Sequence, residues 1–209
     1  MNRTRIKICG LREASHAKVA ADAGADAIGL VFHRPSPRYV EPAAAAAIVD
    51  TLPPYVSAVG LFVDLPAAEV RAILAAVRLD LLQFQGEEPP EFCAQFGVPY
   101  VRAVRMEPGT DLVEYAQRFS GARALLLDAH VPGQPGGTGR SFDWAVIPRN
   151  LPIPLILSGG LTPGNVGSAV REVRPWAVDV SSGVEAQRGV KDPQKIVEFI
   201  RSVRLEDAR

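Results

Sequence analysis

The chain has 209 residues, 47% hydrophobic and 22% charged, enough to bury a substantial core and unlike a disordered or fibrous composition. Lys plus Arg and Asp plus Glu both number 23, so the formal net charge is zero; no global field draws the protein to nucleic acid or an anionic membrane, and an anionic ligand has to be held by local groups. The start MNRTRIKICG lacks the apolar stretch of a signal peptide and no segment approaches the roughly 20 apolar residues that span a bilayer, so the expected location is cytoplasmic.

From the N-terminus, short β-branched or Leu-rich runs alternate with longer helical patterns, without a composition shift that would mark a linker. Strands are predicted at Ile6–Cys9, Ala27–Phe32, Ala58–Val63, Leu81–Gln85, Tyr100–Arg105, Ala124–Asp128, Pro154–Ser158 and Ala177–Val180. Helices are predicted between and after them, at Glu13–Ala23, Pro42–Thr51, Pro66–Val77, Pro89–Phe96, Asp111–Phe119, a short piece at Asp143–Ile147, Pro163–Val173 and Pro193–Val203. Several open with proline, whose missing N–H is not needed in a first helical turn. Eight βα units in about 200 residues predict one α/β domain over residues 1–209, a closed (β/α)8 TIM barrel. An open doubly wound sheet is the alternative, but Cys9-Gly10-Leu11-Arg12 stands where its glycine-rich dinucleotide turn would be.

A parallel barrel places its active site at the carboxyl ends of the strands, so polar residues ending apolar runs are the candidates. In the first strand, period two puts Lys7 and Cys9 on one face and Ile6 and Ile8 on the other. Cys9 reads either as a small buried hydrophobe or, if a cation such as Lys7 favours its thiolate, as a base. The sixth strand ends its apolar run in Asp128, which reads either as a loop cap or as a catalytic carboxyl. A Gly- and Pro-rich loop, Pro132 to Gly139, follows and is expected to be a lid or binding loop.

Strand seven ends in Ser158-Gly159-Gly160 and strand eight in Asp179-Val180-Ser181-Ser182-Gly183. Backbone N–H groups at such turns, after the last two strands of a barrel, can cradle a phosphate. The loop His33 to Val40 is rigid and cationic, and Arg38 in it suits a ligand carboxylate. His16 and Trp176 read as packing or surface residues, and Cys93 as core. Two cysteines are too few for a disulfide framework, and their spacing with the three histidines matches no zinc motif, so no metal is expected.

Taken together, Lys7-Ile-Cys-Gly10, Ser36-Pro-Arg38-Tyr-Val40, Leu82-Gln-Phe-Gln-Gly-Glu87, Leu127-Asp128, Gly136-Gly-Thr-Gly139 with Phe142-Asp-Trp144, Ser158-Gly-Gly-Leu161 with Asn165-Val166, and Asp179-Val-Ser-Ser-Gly-Val-Glu185 with Gly189-Val-Lys-Asp192 resemble the phosphoribosylanthranilate isomerase family from the first strand to the last helix. The resemblance implies an Amadori rearrangement in tryptophan biosynthesis, without a cofactor, on a phosphorylated small-molecule substrate, by a monomer or homodimer. It implies Asp128 as general acid and Cys9 as general base, Arg38 on the anthranilate carboxylate, and Gly159, Gly160, Asp179, Ser181, Ser182 and Gly183 at the phosphate. One position departs from the family pattern: Gln85 stands where a histidine is usual, and glutamine can hydrogen-bond but cannot shuttle a proton. Two other readings are a histidine-pathway isomerase, which would need a second phosphate site in the first half, and a barrel that only binds or scaffolds.

Overall fold

The computed structural model describes residues 3–129, 142–148 and 150–209. Its elements run β1 (Arg5–Cys9), α1 (Ala14–Ala23), β2 (Ala27–Val31), α2 (Pro42–Val49), β3 (Ser57–Phe62), α3 (Ala67–Ala76), β4 (Leu81–Phe84), α4 (Pro90–Ala94), β5 (Tyr100–Met106), α5 (Leu112–Arg118) and β6 (Leu125–Ala129). A 3-10 turn, Trp144–Val146, precedes β7 (Leu155–Leu157), α6 (Val166–Val173) and β8 (Ala177–Val180); another, Ser182–Val184, leads into a hairpin of β9 (Glu185–Gln187) and β10 (Val190–Lys191), and α7 (Pro193–Asp207) follows. Strands β1 to β8 pair in order into a closed barrel. Closure is parallel, with Lys7 of β1 opposite Asp179 of β8.

The period-two pattern sorts the side chains. Ile6, Ile8, Ile28, Leu30, Phe62, Leu82, Phe84, Val178 and Val180 point outward and pack under the helices, against Ala17, Ala20, Val70, Ile196 and Phe199, in one large core. The alternate residues fill the barrel: Val101, Ala103, Ala124, Leu126, Ile156 and Ala177 form an apolar inner layer, and Cys9, Val31 and Leu61 cluster separately. Polar residues occupy inward positions above this plug, and so converge at the carboxyl ends of the strands.

The predicted strand bounds agree with the observed ones to within a residue or so at each end. Helix ends follow their caps. Asp111 accepts the N–H groups of Val113 and Glu114 at 2.8 and 3.1 Å, and Asp192 accepts those of Gln194 and Lys195 at 2.9 and 3.2 Å, which starts α5 and α7 where the sequence predicts. α6 starts at Val166 rather than Pro163 because Asn165 makes a turn of the intervening residues, its Oδ1 accepting from Thr162 N at 2.8 Å and its Nδ2 donating to Gly160 O at 2.9 Å. α7 runs past Val203 because its last turn is anchored: Asp207 accepts from Thr4 N and Oγ1 at 2.9 and 2.7 Å. The hairpin β9–β10 and the 3-10 turn before it are too short for periodicity to reveal. The loop Pro132 to Gly139 lies outside the described residues. No helix among those described is long and apolar enough to cross a membrane.

Phe84 is fully buried on the outer face of β4, with the rings of Phe62, Phe92, Phe96 and Tyr100 at centroid distances of 5.9, 6.0, 5.9 and 6.0 Å. Truncation there removes the shared partner of four aromatic contacts and leaves a cavity. Phe84→Ala is expected to lower unfolding free energy by about 3–5 kcal/mol in equilibrium urea denaturation; a change below about 1 kcal/mol would contradict this account of the core.

Candidate active site

A cavity of about 600 Å3 opens at the carboxyl ends of the strands, and Cys9, Arg38, Asp128, Gly159, Gly160, Asp179, Ser181 and Ser182 all line it. Its volume is that of an ordinary small-molecule site. Gly183 is not part of the lining but sets the wall behind it: a Cβ there would lie 1.8 Å from the carbonyl oxygen of Leu161, so only glycine lets the turns after β7 and β8 touch.

The floor is polar and fully buried. Lys7, 7% exposed, donates from Nζ to Asp179 Oδ1 at 2.5 Å and to Gln83 Oε1 at 2.9 Å. Ser158 Oγ donates to the other oxygen of Asp179 at 3.2 Å. Gln83 Nε2 donates to Gln85 Oε1 at 3.0 Å, and Gln85 Nε2 donates to Asp128 Oδ2 at 3.3 Å. Asp128 Oδ1 accepts the N–H of Ala129 at 2.9 Å. Asp128 is 6% exposed, on the same inward face as Ala124 and Leu126. Burial pushes the Lys7 pKa down, but the Asp179 carboxylate and Cys9 outweigh it, and the ammonium is held above its ordinary value.

Cys9 stands beside Lys7 with its sulfur against Gly29 of β2, where a Cβ would come within 2.6 Å of Sγ. Burial is the largest influence on the thiol and pushes its pKa up; Lys7 and Lys191 pull it back only in part. Cys93 is a core residue, 0% exposed, and burial pushes its thiol up to about 12.

A second buried cluster fixes the wall. Glu185 accepts from Arg38 Nε and Nη2 at 2.6 and 3.0 Å and from Lys191 Nζ at 2.9 Å. Lys191 also donates to Ser181 O and Oγ at 2.8 and 3.2 Å. Burial would raise the Glu185 pKa, but the Arg38 and Lys191 contacts outweigh it and hold the carboxyl below its ordinary value. One carboxylate thus orients the Arg38 guanidinium and, through Lys191, the turn after β8. Beside that turn, Gly159 and Gly160 take φ of +80° and +67°. Among the described residues, the N–H groups of Gly159, Gly160 and Ser182 have no protein partner, which makes them donors available to an anion.

The family model for N-(5′-phosphoribosyl)anthranilate isomerase matches residues 6–202. The chain belongs to this family. It is 54% identical over 204 residues to the N-(5′-phosphoribosyl)anthranilate isomerase of Nitrosospira multiformis, covering 98% of each chain. Its structure is similar to the crystal structure of phosphoribosyl anthranilate isomerase from Thermotoga maritima, with a TM-score of 0.88 and 40% identity over 96% of this chain and 98% of that one. It is also similar, at a TM-score of 0.85 and 38% identity over 96% and 98% of the two chains, to a phosphoribosyl anthranilate isomerase solved in complex with reduced 1-(o-carboxyphenylamino)-1-deoxyribulose 5-phosphate. The protein is therefore an enzyme, an isomerase of N-(5′-phosphoribosyl)anthranilate in tryptophan biosynthesis, on a (β/α)8 barrel.

Gln83, Glu185 and Lys191 lie within the isomerase motifs, and the structure makes them links between the candidate site residues. The available signal is inward parity: Gln83 and Gln85 share a face of β4 with Leu81, opposite Leu82 and Phe84. The thiol environment yields a pH test. Alkylation of Cys9 by iodoacetamide is expected to be slower than that of an exposed thiol at pH 8 and still climbing as pH passes the ordinary value of 9.0, with Cys93 slower still; a Cys9 rate that levels off below pH 8 would contradict the burial argument.

Proposed function

We propose that this isomerase, acting in the cytoplasm, uses Asp128 as general acid and Cys9 as general base on a substrate held by its phosphate and its carboxylate at opposite edges of the mouth. The observation that carries the reading is that both groups line one cavity from different strands, Asp128 one residue before the end of β6 and Cys9 at the end of β1. Asp128 would protonate the furanose ring oxygen, and the ring would open to a Schiff base as the C–O bond breaks. Cys9 would then take the proton from C2 of the sugar, giving an enolamine that tautomerises to the aminoketose, 1-(2-carboxyphenylamino)-1-deoxyribulose 5-phosphate. A raised pKa makes the thiolate scarce but strongly basic, and Lys7 beside it offsets part of the cost of forming it.

The phosphate is assigned to the N–H groups of Gly159, Gly160 and Ser182, with Ser181 and Gly183 shaping their turn. Asp179 belongs to this segment, but its carboxylate is engaged by Lys7 and Ser158; an anion would be repelled by it, so its role is to hold Lys7. Arg38 is assigned to the anthranilate carboxylate, its guanidinium oriented by Glu185. Gly-rich donors and one guanidinium explain how a chain of zero net charge binds a polyanion without a global field.

Removing either proton-transfer group is expected to lower kcat by about 10²–10⁴-fold, with a smaller change in KM. The assay follows loss of anthranilate-type fluorescence from freshly formed substrate, corrected for spontaneous breakdown, for wild type, Asp128→Asn and Cys9→Ser. A folded Asp128→Asn enzyme with wild-type turnover would refute the acid assignment, because an amide cannot supply the proton.

A further inference from the structure

The acid–base reading accounts for Asp128 and Cys9 but not for the two glutamines buried between Lys7 and Asp128. Gln83 is 1% and Gln85 8% exposed, and a leucine pair would fill inward positions of a barrel without needing hydrogen-bond partners. We propose that Gln83 and Gln85 form a one-way hydrogen-bond relay from Lys7 to Asp128, which fixes the carboxyl group and stabilises the carboxylate that appears as the acid gives up its proton; both glutamines are positioning residues for the isomerisation. The proposal rests on Asp128 being the acid.

The direction of the relay is set at the Lys7 end by elementary chemistry. An ammonium can only donate, so the oxygen of Gln83 has to face Lys7 Nζ, 2.9 Å away. That turns its amide nitrogen toward Gln85, whose oxygen accepts at 3.0 Å, and the amide nitrogen of Gln85 is left facing Asp128 Oδ2 at 3.3 Å. Once Asp128 has given up its proton its carboxylate can only accept, so the far end demands the same orientation in the state the relay stabilises. Flipping the Gln83 amide would set its NH2 group against the Lys7 ammonium. The near end does not move, because Asp179, itself bonded by Ser158, holds Lys7 at 2.5 Å.

The arrangement has a catalytic consequence. With Oδ1 accepting from Ala129 N and Oδ2 from Gln85, the plane of the Asp128 carboxyl group is fixed. When the acid proton leaves, the new negative charge develops against a donor already in place and polarised by a cation two residues back along the chain of bonds, without reorganisation. The long final bond is the one expected to tighten as charge develops. The usual family histidine at the position of Gln85 can take the same place in the relay, since a neutral imidazole accepts at one nitrogen and donates at the other. What the position requires is one acceptor and one donor, and glutamine supplies both.

The decisive variants are at Gln83, which touches Lys7 and Gln85 but not Asp128 in the relay. Gln83→Met keeps the length of the side chain but has no amide, and Gln83→Leu and Gln85→Leu break the relay at either link. Each is expected to lower kcat about 10-fold or more, with KM and the affinity for the reduced product analogue within about twofold of wild type. The Gln83→Leu, Gln85→Leu double variant is expected to be no slower than the slower single, because a relay is broken only once. Gln85→His is expected to recover most of the turnover lost in Gln85→Leu. Wild-type kcat in Gln83→Leu or Gln83→Met, or losses that multiply in the double variant, would overturn the relay. If all these variants match an active wild type, the relay fails and the isomerase reading stands; if Asp128→Asn is also fully active, it is the acid assignment that fails.

Discussion

A lysine ammonium inside a β-barrel is the constraint around which this structure is arranged. Lys7 sits on the inward face of β1 and is nearly inaccessible, and a charge so placed is tolerable only if it is paired and its remaining donors are used. Asp179 supplies the counter-charge from β8, the strand that closes the barrel on β1. Closure of the sheet and neutralisation of the charge are thus one event. Gln83 of β4, with Gln85 and Ser158 just past the ends of β4 and β7, completes the hydrogen bonding. The inner layer of Val101, Ala103, Leu126 and Ile156 forms its own cluster, so the barrel divides into an apolar plug and a polar floor beneath the cavity.

The wall of the cavity repeats the same solution with the charges reversed. Glu185 is a buried anion shared by two cations, Arg38 from the loop after β2 and Lys191 from β10. Its position makes the β9–β10 hairpin, an addition to the eightfold pattern, the bracket that joins the loop after β2 to the turn after β8. Gly189 at the hairpin's tip packs so closely that a Cβ would come within 2.5 Å of Pro37 O, so the hairpin lies flat against the Arg38 loop. Buried ion pairs and close backbone packing thus hold the proposed anion-binding region together without a ligand, which would limit the entropy lost on binding.

Much of this was legible in the sequence because a (β/α)8 barrel is built from local, periodic signals. The parity of Ile6, Lys7, Ile8 and Cys9, and the polar end of the run Ala124 to Asp128, placed both proton-transfer candidates at the correct end of the barrel and on its inner face. The two glycine turns after β7 and β8 were readable because glycine has few reasons to recur there other than close approach. What was not legible depends on pairings across the barrel. Nothing local says that Lys7 meets Gln83, 76 positions away, or that Arg38 meets Glu185, 147 positions away. Charge state was equally hidden: Lys7 suggests a thiolate at Cys9 from sequence, but burial outweighs it and raises the thiol pKa. Gln85 read as a departure from the family pattern; its bonds to Gln83 and Asp128 show its amide engaged as acceptor and as donor.

The measurement that tests the account most directly is a crystal structure of this protein with the reduced product, 1-(o-carboxyphenylamino)-1-deoxyribulose 5-phosphate. The account predicts the phosphate on the N–H groups of Gly159, Gly160 and Ser182, the aromatic carboxylate on Arg38, and Asp128 and Cys9 on the sugar carbons between them, with the Lys7 to Asp128 bonds intact. A phosphate seated elsewhere, or a sugar out of hydrogen-bonding distance of Asp128, would contradict it.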